Sequence, residues 1–221
     1  PPGKNYEQAI DFLEPLFRQA GCQTEKIAIP PASAGGQEGR VNLIIHRRHP
    51  GRRRLIFYSH VDVVPATGWD AFSPKIEEGK IFGRGTVDMK GAVVSLLMAL
   101  ERVKSRTLDY DLSGLISVDE ETGHADGEEL RYIRPYLEPV AGADFFNLDG
   151  PDFVQIAYLG LYAADITVHG RSVHQASAYM GENAVEKAIA LCQPLLKLGE
   201  KVSRKKSSIP SDPSYKIPYL Q

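Results

Sequence analysis

Apolar residues repeat along this chain with helical spacing in some segments and as short continuous runs in others. Residues 5–20 show the helical spacing, and Gly21 follows them as a C-terminal stop signal. Short apolar runs predict strands over residues 41–46, 55–59, 112–118 and 145–148, with helices over residues 89–103 and 128–137. Strands that alternate with helices in this way predict an α/β fold: a three-layer α/β/α domain with a mostly parallel sheet.

The pattern changes in the last third of the chain. Residues 154–157 and 161–169 alternate partially between apolar and polar positions, which predicts strands with one solvated face. An amphipathic helix is predicted over residues 183–198. We therefore predict two domains, a catalytic α/β domain over residues 1–157 and the start of a smaller α+β domain over residues 158–221.

Composition and charge argue against several classes of function. The chain has 221 residues, 43% of them hydrophobic, and a net charge of -2, which does not favour binding to nucleic acid or to a membrane. Five arginines between residues 47 and 54 lack interleaved aromatic residues, and we interpret this run as a solvated turn. The longest apolar stretch, residues 91–100, is too short to span a bilayer. Cys22 and Cys192 lie far apart, and we interpret both as reduced, as in a cytoplasmic protein.

Acidic residues and a histidine follow several of the predicted strands. In an open α/β sheet, the loops at the carboxyl ends of the strands converge on one crevice, where ligands bind. Taken singly, each residue has an ordinary interpretation as a surface histidine, a helix N-cap or a turn carboxylate. The residues are His60 and Asp62 after the second strand, Asp88 before the long helix, Asp119, Glu120 and Glu121 after the third strand, and Asp149 after the fourth.

Taken together, these residues favour a metal site. A cluster of several uncompensated carboxylates would repel itself, and divalent cations remove that repulsion. His60 and Asp62 are two apart on an extended segment, so their side chains point the same way, and a metal-bound histidine commonly donates its other ring N–H to a carboxylate. The adjacent Glu120 and Glu121 offer one ligand and one nearby base that is not a ligand, which suits metal-assisted hydrolysis.

Three motifs, in this order, resemble those of the co-catalytic zinc exopeptidases and deacylases. They are Ser59-His60-Val61-Asp62-Val63-Val64-Pro65, Gly83-Arg84-Gly85-Thr86-Val87-Asp88-Met89-Lys90-Gly91 and Asp119-Glu120-Glu121-Thr122-Gly123. That family includes acetylornithine deacetylase, succinyl-diaminopimelate desuccinylase, aminoacylase, glutamate carboxypeptidase and several dipeptidases. The resemblance implies a hydrolase that cleaves an amide bond of a small peptide or an N-acyl amino acid.

The resemblance also implies a role for each site residue. The implied metal ligands are His60 and Asp149 for one zinc ion, Glu121 for the other, and Asp88 as a bridge between them. Glu120 would be the general base that deprotonates the metal-bridging water. For Asp62, the spacing alone predicts that it accepts the other ring N–H of His60 or helps to orient the loop. Two Zn²⁺ ions are implied for a complete site, with Co²⁺ or Mn²⁺ as alternatives.

The likeness continues into the predicted second domain. His169-Gly170-Arg171-Ser172-Val173-His174 and Gly181-Glu182-Asn183-Ala184 resemble the family's lid or dimerisation domain. There, a histidine at the position of His174 helps to polarise the scissile carbonyl, often in the partner subunit's active site. The resemblance therefore implies a homodimer, whereas His174 considered alone is a loop or cap histidine. Ala178 stands where the family often has Pro.

Both ends of the chain predict a fragment. The first residues include neither an initiator Met nor a signal-peptide pattern, and the last residues stop without an obvious terminal element. The family's final zinc-ligand histidine has no counterpart in this sequence, so one zinc ion would lack a protein ligand. An inactive family member that acts as a dimerisation or binding protein is therefore the alternative to a hydrolase.

Overall fold

The computed structural model describes residues 5–34, 36–121, 134–138, 141–150 and 164–205. The chain forms two compact units, Pro1–Val154 and Gln155–Gln221. The first unit contains a β-sheet with flanking helices, and the described part of the second contains one long helix.

A five-stranded sheet forms the centre of the first unit's described part. The strands of this unit are β1 (Gln23–Ala28), β2 (Val41–Arg47), β3 (Arg53–His60), β4 (Lys75–Glu77), β5 (Lys80–Phe82), β6 (Tyr110–Ser117) and β7 (Asp144–Asn147). The sheet order is β1-β2-β6-β3-β7, and β4 and β5 form a separate hairpin. β2 runs antiparallel to β1 and β6, whereas β3 runs parallel to β6 and β7. Four strands of this sheet therefore share one direction, which confirms the mostly parallel sheet.

The apolar pattern does not predict strand β1. Its sequence is mostly polar, and Ile27 is its one buried residue. All six of its residues nevertheless pair with β2, from Gln23 opposite His46 to Ala28 opposite Val41. β2 is buried along its whole length, so the pairing with this strand, rather than an apolar face of its own, places β1 in the sheet.

Helices cover both faces of this sheet. Helix α1 (Tyr6–Gln19) and helix α2 (Gly91–Arg102) pack on one face, where they bury Leu43 of β2. The next residue of β2, Ile44, points to the opposite face and packs in a second apolar cluster with Leu137, which is itself in a helical segment. The predicted three-layer α/β/α arrangement is therefore confirmed for the described residues.

The turn before α2 differs from the sequence prediction. Helix α2 begins at Gly91 with Lys90 in the N-cap position, so the prediction of Asp88 as its N-cap is wrong. Asp88 instead has non-helical backbone angles, with φ -114° and ψ 100°. A Cβ atom at Gly91 would lie 2.6 Å from the carbonyl oxygen of Thr86, so only glycine permits this close backbone approach.

Only one face of α2 is buried, although its sequence is apolar nearly all round. Val93 and Leu100 are buried, whereas Val94 and Met98 are 49% and 66% exposed. In the described part of the chain, the sheet and α1 pack against one side of the helix, which leaves its outer apolar residues uncovered there. A helix that is apolar nearly all round is usually buried on most sides, and α2 departs from that rule in the described part of the chain.

The arginine run is also less solvated than the sequence predicts. Arg47 is buried, and its guanidinium donates hydrogen bonds to the backbone carbonyls of Val103, Lys104 and Arg106, just beyond α2. Arg54 is buried as well. The interpretation of a solvated turn is therefore wrong for these two residues. Arg47 supplies donors that the carbonyls at the end of α2 lack within the helix, and Arg54 donates a hydrogen bond to Oγ of Ser113 at 2.9 Å.

The described part of the second unit contains helix α3 (Ala184–Ser203). Asn183 caps it, since its Oδ1 accepts hydrogen bonds from the backbone N–H groups of Val185 and Glu186 at 2.9 and 3.4 Å. The predicted helix over residues 183–198 is confirmed and extends to Ser203. No helix within the described ranges is long and apolar enough to cross a membrane.

The strand predicted over residues 161–169 is wrong where the structure describes it. Residues 164–169 are not in a strand, and the pairing seen in the described part of this unit is an isolated bridge between Arg171 and Glu182. A strand needs a neighbouring strand for its backbone hydrogen bonds, and partial alternation in the sequence does not supply that partner. The predicted strand over residues 154–157 lies outside the described residues.

Candidate metal centre

The parallel strands bring most of the predicted site residues to one edge of the sheet. His60 is the last residue of β3, and it lies opposite Ser117, the last residue of β6. Tyr58 of β3 lies opposite Asn147, the last residue of β7. The chain segments that follow β6 and β7 therefore leave the sheet beside His60. They carry Glu120, Glu121 and Asp149.

His60 lies at the centre of this cluster and is fully buried. Its Nε2 atom is 3.2 Å from Oδ1 of Asp88, 3.9 Å from Oε2 of Glu120 and 3.9 Å from Oδ2 of Asp149. Its Nδ1 atom is 3.3 Å from Oδ1 of Asp62, which is also fully buried. One ring nitrogen therefore faces three carboxylates, and a fourth carboxylate holds the other nitrogen.

The surroundings of Nε2 of His60 fit a metal ion. This buried atom makes no well-formed hydrogen bond within the described residues, and a buried polar atom without a partner is costly. Two sets of potential ligand atoms in the described part of the chain each lie within 4.8 Å of one another: His60 with Glu120 and Asp149, and His60 with Asp88 and Glu121. An imidazole nitrogen combined with carboxylate oxygens is a donor set that suits zinc and related divalent metals.

Asp62 connects the histidine to the turn that carries the two glutamates. Its Oδ1 accepts a hydrogen bond from the backbone N–H of Glu120 at 3.2 Å, and its Oδ2 accepts one from that of Glu121 at 2.7 Å. Burial alone would raise the pKa of Asp62, but the hydrogen bonds from His60 and from these two N–H groups lower it below its usual value. The ionised carboxylate of Asp62 therefore holds the His60 imidazole close to the backbone amides of Glu120 and Glu121.

The crowded charges shift the other pKa values of the site. Burial disfavours a charged His60, but the hydrogen bond with Asp62 and the surrounding negative charges outweigh it and raise its pKa to about 9. Burial and the neighbouring carboxylates raise the pKa of Glu120 and that of Glu121 against the opposing charge of His60. In the metal-free protein, a protonated His60 therefore compensates part of the negative charge.

Lys90 also belongs to this charged cluster, although it is not among the predicted site residues. Burial lowers its pKa, and the carboxylates of Asp62, Asp88 and Glu121 oppose that shift. A Cβ atom at Gly85 would lie 2.6 Å from Nζ of Lys90, and Gly85 has φ 86°, so glycine leaves room for the ammonium group. The signal that could have identified Lys90 is its position two residues after Asp88.

His174 belongs to the second unit. It precedes the 3₁₀ turn Gln175–Met180, and its Nδ1 accepts a hydrogen bond from the backbone N–H of Ala176 at 3.2 Å. This is the cap position that the residue has when considered alone. Six of the seven predicted site residues thus lie together in the first unit, and the seventh lies in the second.

Sequence relatives of this chain are named succinyl-diaminopimelate desuccinylases. A model of peptidase family M20/M25/M40 matches residues 56–210. Succinyl-diaminopimelate desuccinylase from Acidiphilium cryptum (strain JF-5) is 34% identical over 170 residues, which are 71% of this chain and 44% of that protein. The chain spans about half the length of the curated relatives it matches.

Solved structures show the same fold at lower sequence identity. A tripeptidase from Staphylococcus aureus subsp. aureus Mu50 matches with a TM-score of 0.58 and 19% identity over 87% of this chain and 52% of that one. Human carnosine dipeptidase 1 matches with a TM-score of 0.55 and 22% identity over 63% of this chain and 32% of that one. Because the family model matches well over half of the sequence, the chain belongs to peptidase family M20/M25/M40.

Proposed function

We propose that the chain forms the metal-binding part of a hydrolase that cleaves an amide bond of a small peptide or an N-acyl amino acid. The observation that carries this proposal is the position of His60, whose Nε2 lies within 3.9 Å of three carboxylates. The names of its relatives, a desuccinylase and a tripeptidase among them, support hydrolysis of an amide bond.

The two groups of potential ligands, which have His60 in common, support two neighbouring metal positions. We assign His60 and Asp149 to one ion, Glu121 to the other, and Asp88 to a bridging position, and we propose Zn²⁺ as the metal. The short distance from Asp88 to His60 and the grouping of Asp88 with Glu121 support the bridge. Bound ions would polarise the substrate carbonyl and lower the pKa of a bound water.

Glu120 is the best placed proton acceptor in this arrangement. Its carboxylate is partly exposed, with 39% of its side chain accessible, so it can contact both substrate and water. Burial and the neighbouring carboxylates raise its pKa, which brings a carboxylate closer to the range in which a general base and a general acid both operate. We propose that Glu120 takes a proton from the attacking water and delivers it to the leaving amine.

We propose that the second unit is the beginning of a lid or dimerisation domain, with a boundary near residues 157 and 158, and that His174 supplies a hydrogen-bond donor to the substrate carbonyl. The position of His174 supports this assignment, because the residue precedes the turn Gln175–Met180 and its imidazole is not inside a helix. A donor of this kind stabilises the negative charge that develops on the carbonyl oxygen. The homodimer belongs to the same proposal.

A substrate panel tests the proposed function. Full-length protein loaded with zinc is assayed against N-acyl amino acids and dipeptides, beside the variant Glu120→Gln and the control Glu101→Gln, an exposed glutamate of α2. We expect Glu120→Gln to reduce turnover roughly 10²–10⁴-fold while its metal content stays unchanged, because the residue moves a proton without binding metal. The control should keep both.

Two results would contradict the proposal. Near wild-type turnover in Glu120→Gln would show that another residue is the base. A folded wild-type protein that binds metal but hydrolyses none of the substrates would instead favour the alternative of a non-catalytic family member that binds or dimerises.

A further inference from the structure

We propose that Arg40 and Asn42 are positioning residues for Glu120 and Glu121. Both are buried, at 1% and 0% exposure, and both bind the backbone of Val118, two residues before Glu120. This inference rests on the proposed function, in which Glu120 moves a proton and Glu121 binds metal.

The segment that carries the glutamates begins where β6 leaves the sheet. The ladder between β2 and β6 ends at the pair Leu43 and Ile116. Beyond it, the N–H of Val118 donates to Oδ1 of Asn42 at 3.2 Å, and the carbonyl of Val118 accepts from Nη1 of Arg40 at 3.0 Å. Side chains of the neighbouring strand region therefore bind both polar groups of Val118 at the point where backbone pairing stops.

Arg40 also binds the side chain of the following residue. Its Nη1 forms a buried ion pair with Oδ1 of Asp119. Its Nη2 donates to Oε1 of Gln37 at 2.5 Å, and its guanidinium lies 4.7 Å from the centre of the Tyr6 ring. A planar guanidinium that is bound on several sides has few alternative orientations. It therefore restricts the positions of the groups that it binds.

The ion pair keeps Asp119 out of the metal site. Asp119 is adjacent to Glu120 in sequence, yet within the described structure its carboxylate belongs to neither set of potential ligands. On the other side of the turn, Asp62 accepts hydrogen bonds from the N–H groups of Glu120 and Glu121. The turn is therefore held from two sides, by Arg40 and Asn42 through residues 118 and 119 and by Asp62 through residues 120 and 121.

A lysine at position 40 would keep the charge but not this geometry. Its ammonium group lacks the planar fork that reaches the carbonyl of Val118, the carboxylate of Asp119 and Gln37 at the same time. The turn would then lose one of its two supports. A displacement of about 1 Å in a catalytic group can reduce the rate by roughly 100-fold, so a modest shift of Glu120 is measurable.

Arg47 offers a matched control in the same strand region. It is also a buried arginine, and it donates to three backbone carbonyls, but it does so beyond the end of α2. It lies at the opposite end of β2 from Arg40, roughly 20 Å away at the rise of an extended chain. Arg47→Lys should therefore reduce stability without moving the glutamates.

The experiment compares Arg40→Lys, Asn42→Ala and Arg47→Lys in full-length protein. Amide hydrogen exchange in the metal-free protein measures how readily the Glu120 and Glu121 amides become exposed to solvent. The free energy of unfolding of each variant is measured as well, so that its exchange rates can be corrected for changes in global stability. We expect exchange of the Glu120 and Glu121 amides to accelerate about tenfold or more beyond that correction in the first two variants only. We also expect kcat to fall roughly 10–100-fold in them, with KM within about threefold of wild type.

The two readouts separate this inference from the proposed function. If the wild type hydrolyses no substrate, the proposed function fails and the exchange data alone decide the positioning role. Equal corrected exchange at Glu120 and Glu121 in Arg40→Lys and Arg47→Lys would overturn that role. If Arg40→Lys does not fold, the double variant Arg40→Met with Asp119→Asn removes both charges and avoids an uncompensated buried carboxylate. Wild-type exchange in that double variant would also overturn the role.

Discussion

Replacement of Asp62 by Asn perturbs the contact on which the site depends most. Asp62 is fully buried, lies 3.3 Å from Nδ1 of His60, and accepts hydrogen bonds from the N–H groups of Glu120 and Glu121. Asparagine has the same shape but one acceptor oxygen and one NH₂ group. In either orientation, an NH₂ group therefore faces an N–H donor, and the negative charge beside His60 is lost.

The size of the effect follows from the pKa of His60. The folded metal-free protein raises this pKa from its ordinary value of 6.5 to about 9, which corresponds to about 3 kcal/mol of stability. Because the folded pKa is above the unfolded one, this stabilisation is complete below pH 6.5 and is lost as the pH rises through about 9. At pH 6, removal of one partner from a buried pair should cost roughly 3–5 kcal/mol.

Urea unfolding of the metal-free proteins at about pH 6 and pH 10 measures this difference. Between these two pH values, we expect the free energy of unfolding to fall by about 3 kcal/mol more in the wild type than in Asp62→Asn. Only the wild type has the ion pair between protonated His60 and Asp62, which is lost when His60 gives up its proton. Burial raises the pKa of Cys22 to about 11, which also lowers stability at high pH. That loss is common to both proteins and cancels in the comparison.

A wild type and an Asp62→Asn protein with the same loss of stability over this pH range would refute the reasoning. Such a result would mean that His60 titrates near its ordinary value and that Asp62 acts on the backbone of the glutamate turn alone. An NMR titration of the His60 ring in the metal-free protein would then show the lower pKa directly.

Two further predictions concern the second unit and the core. His174→Ala should lower the rate of hydrolysis roughly 10²–10³-fold with bound metal unchanged. If the histidine acts between subunits, mixing this variant with Glu120→Gln protein should restore part of the activity. No recovery after confirmed subunit exchange would exclude that arrangement. Gly114→Ala should cost roughly 1–3 kcal/mol in urea unfolding, because its Cβ would lie 2.7 Å from Cγ1 of Ile45; unchanged stability would show that Ile45 moves aside.

Much of the fold follows from local patterns in the sequence. The apolar runs over residues 55–59, 112–118 and 145–148 form β3, β6 and β7 with bounds close to those predicted. Because side-chain alternation and apolar runs are properties of neighbouring residues, the sequence shows where these strands end. The carboxyl ends of parallel strands meet at one edge, so the gathering of His60 and Glu120 could also be predicted.

Local sequence patterns were misleading where contacts with residues distant in the chain decide the local structure or the burial of a side chain. Asp88 has the sequence of an N-cap, but α2 begins three residues later, at Gly91, with Lys90 in that position. Arg47 stands in a basic run that resembles a solvated turn, yet it is buried against carbonyls 56 to 59 residues away. Strand β1 has a polar sequence and forms because β2 pairs with it.

The sequence by itself determined the strands that lead into the site, β3, β6 and β7, and the acidic residues that follow them, since both depend on residues close together in the chain. The tertiary structure alone decided how the glutamate turn is held. Asp62 binds amides 58 and 59 residues away, and Arg40 binds a carbonyl and a carboxylate 78 and 79 residues away. The spacing of apolar residues cannot predict these long-range hydrogen bonds, because they form only when β2, β6 and β3 lie side by side in the sheet.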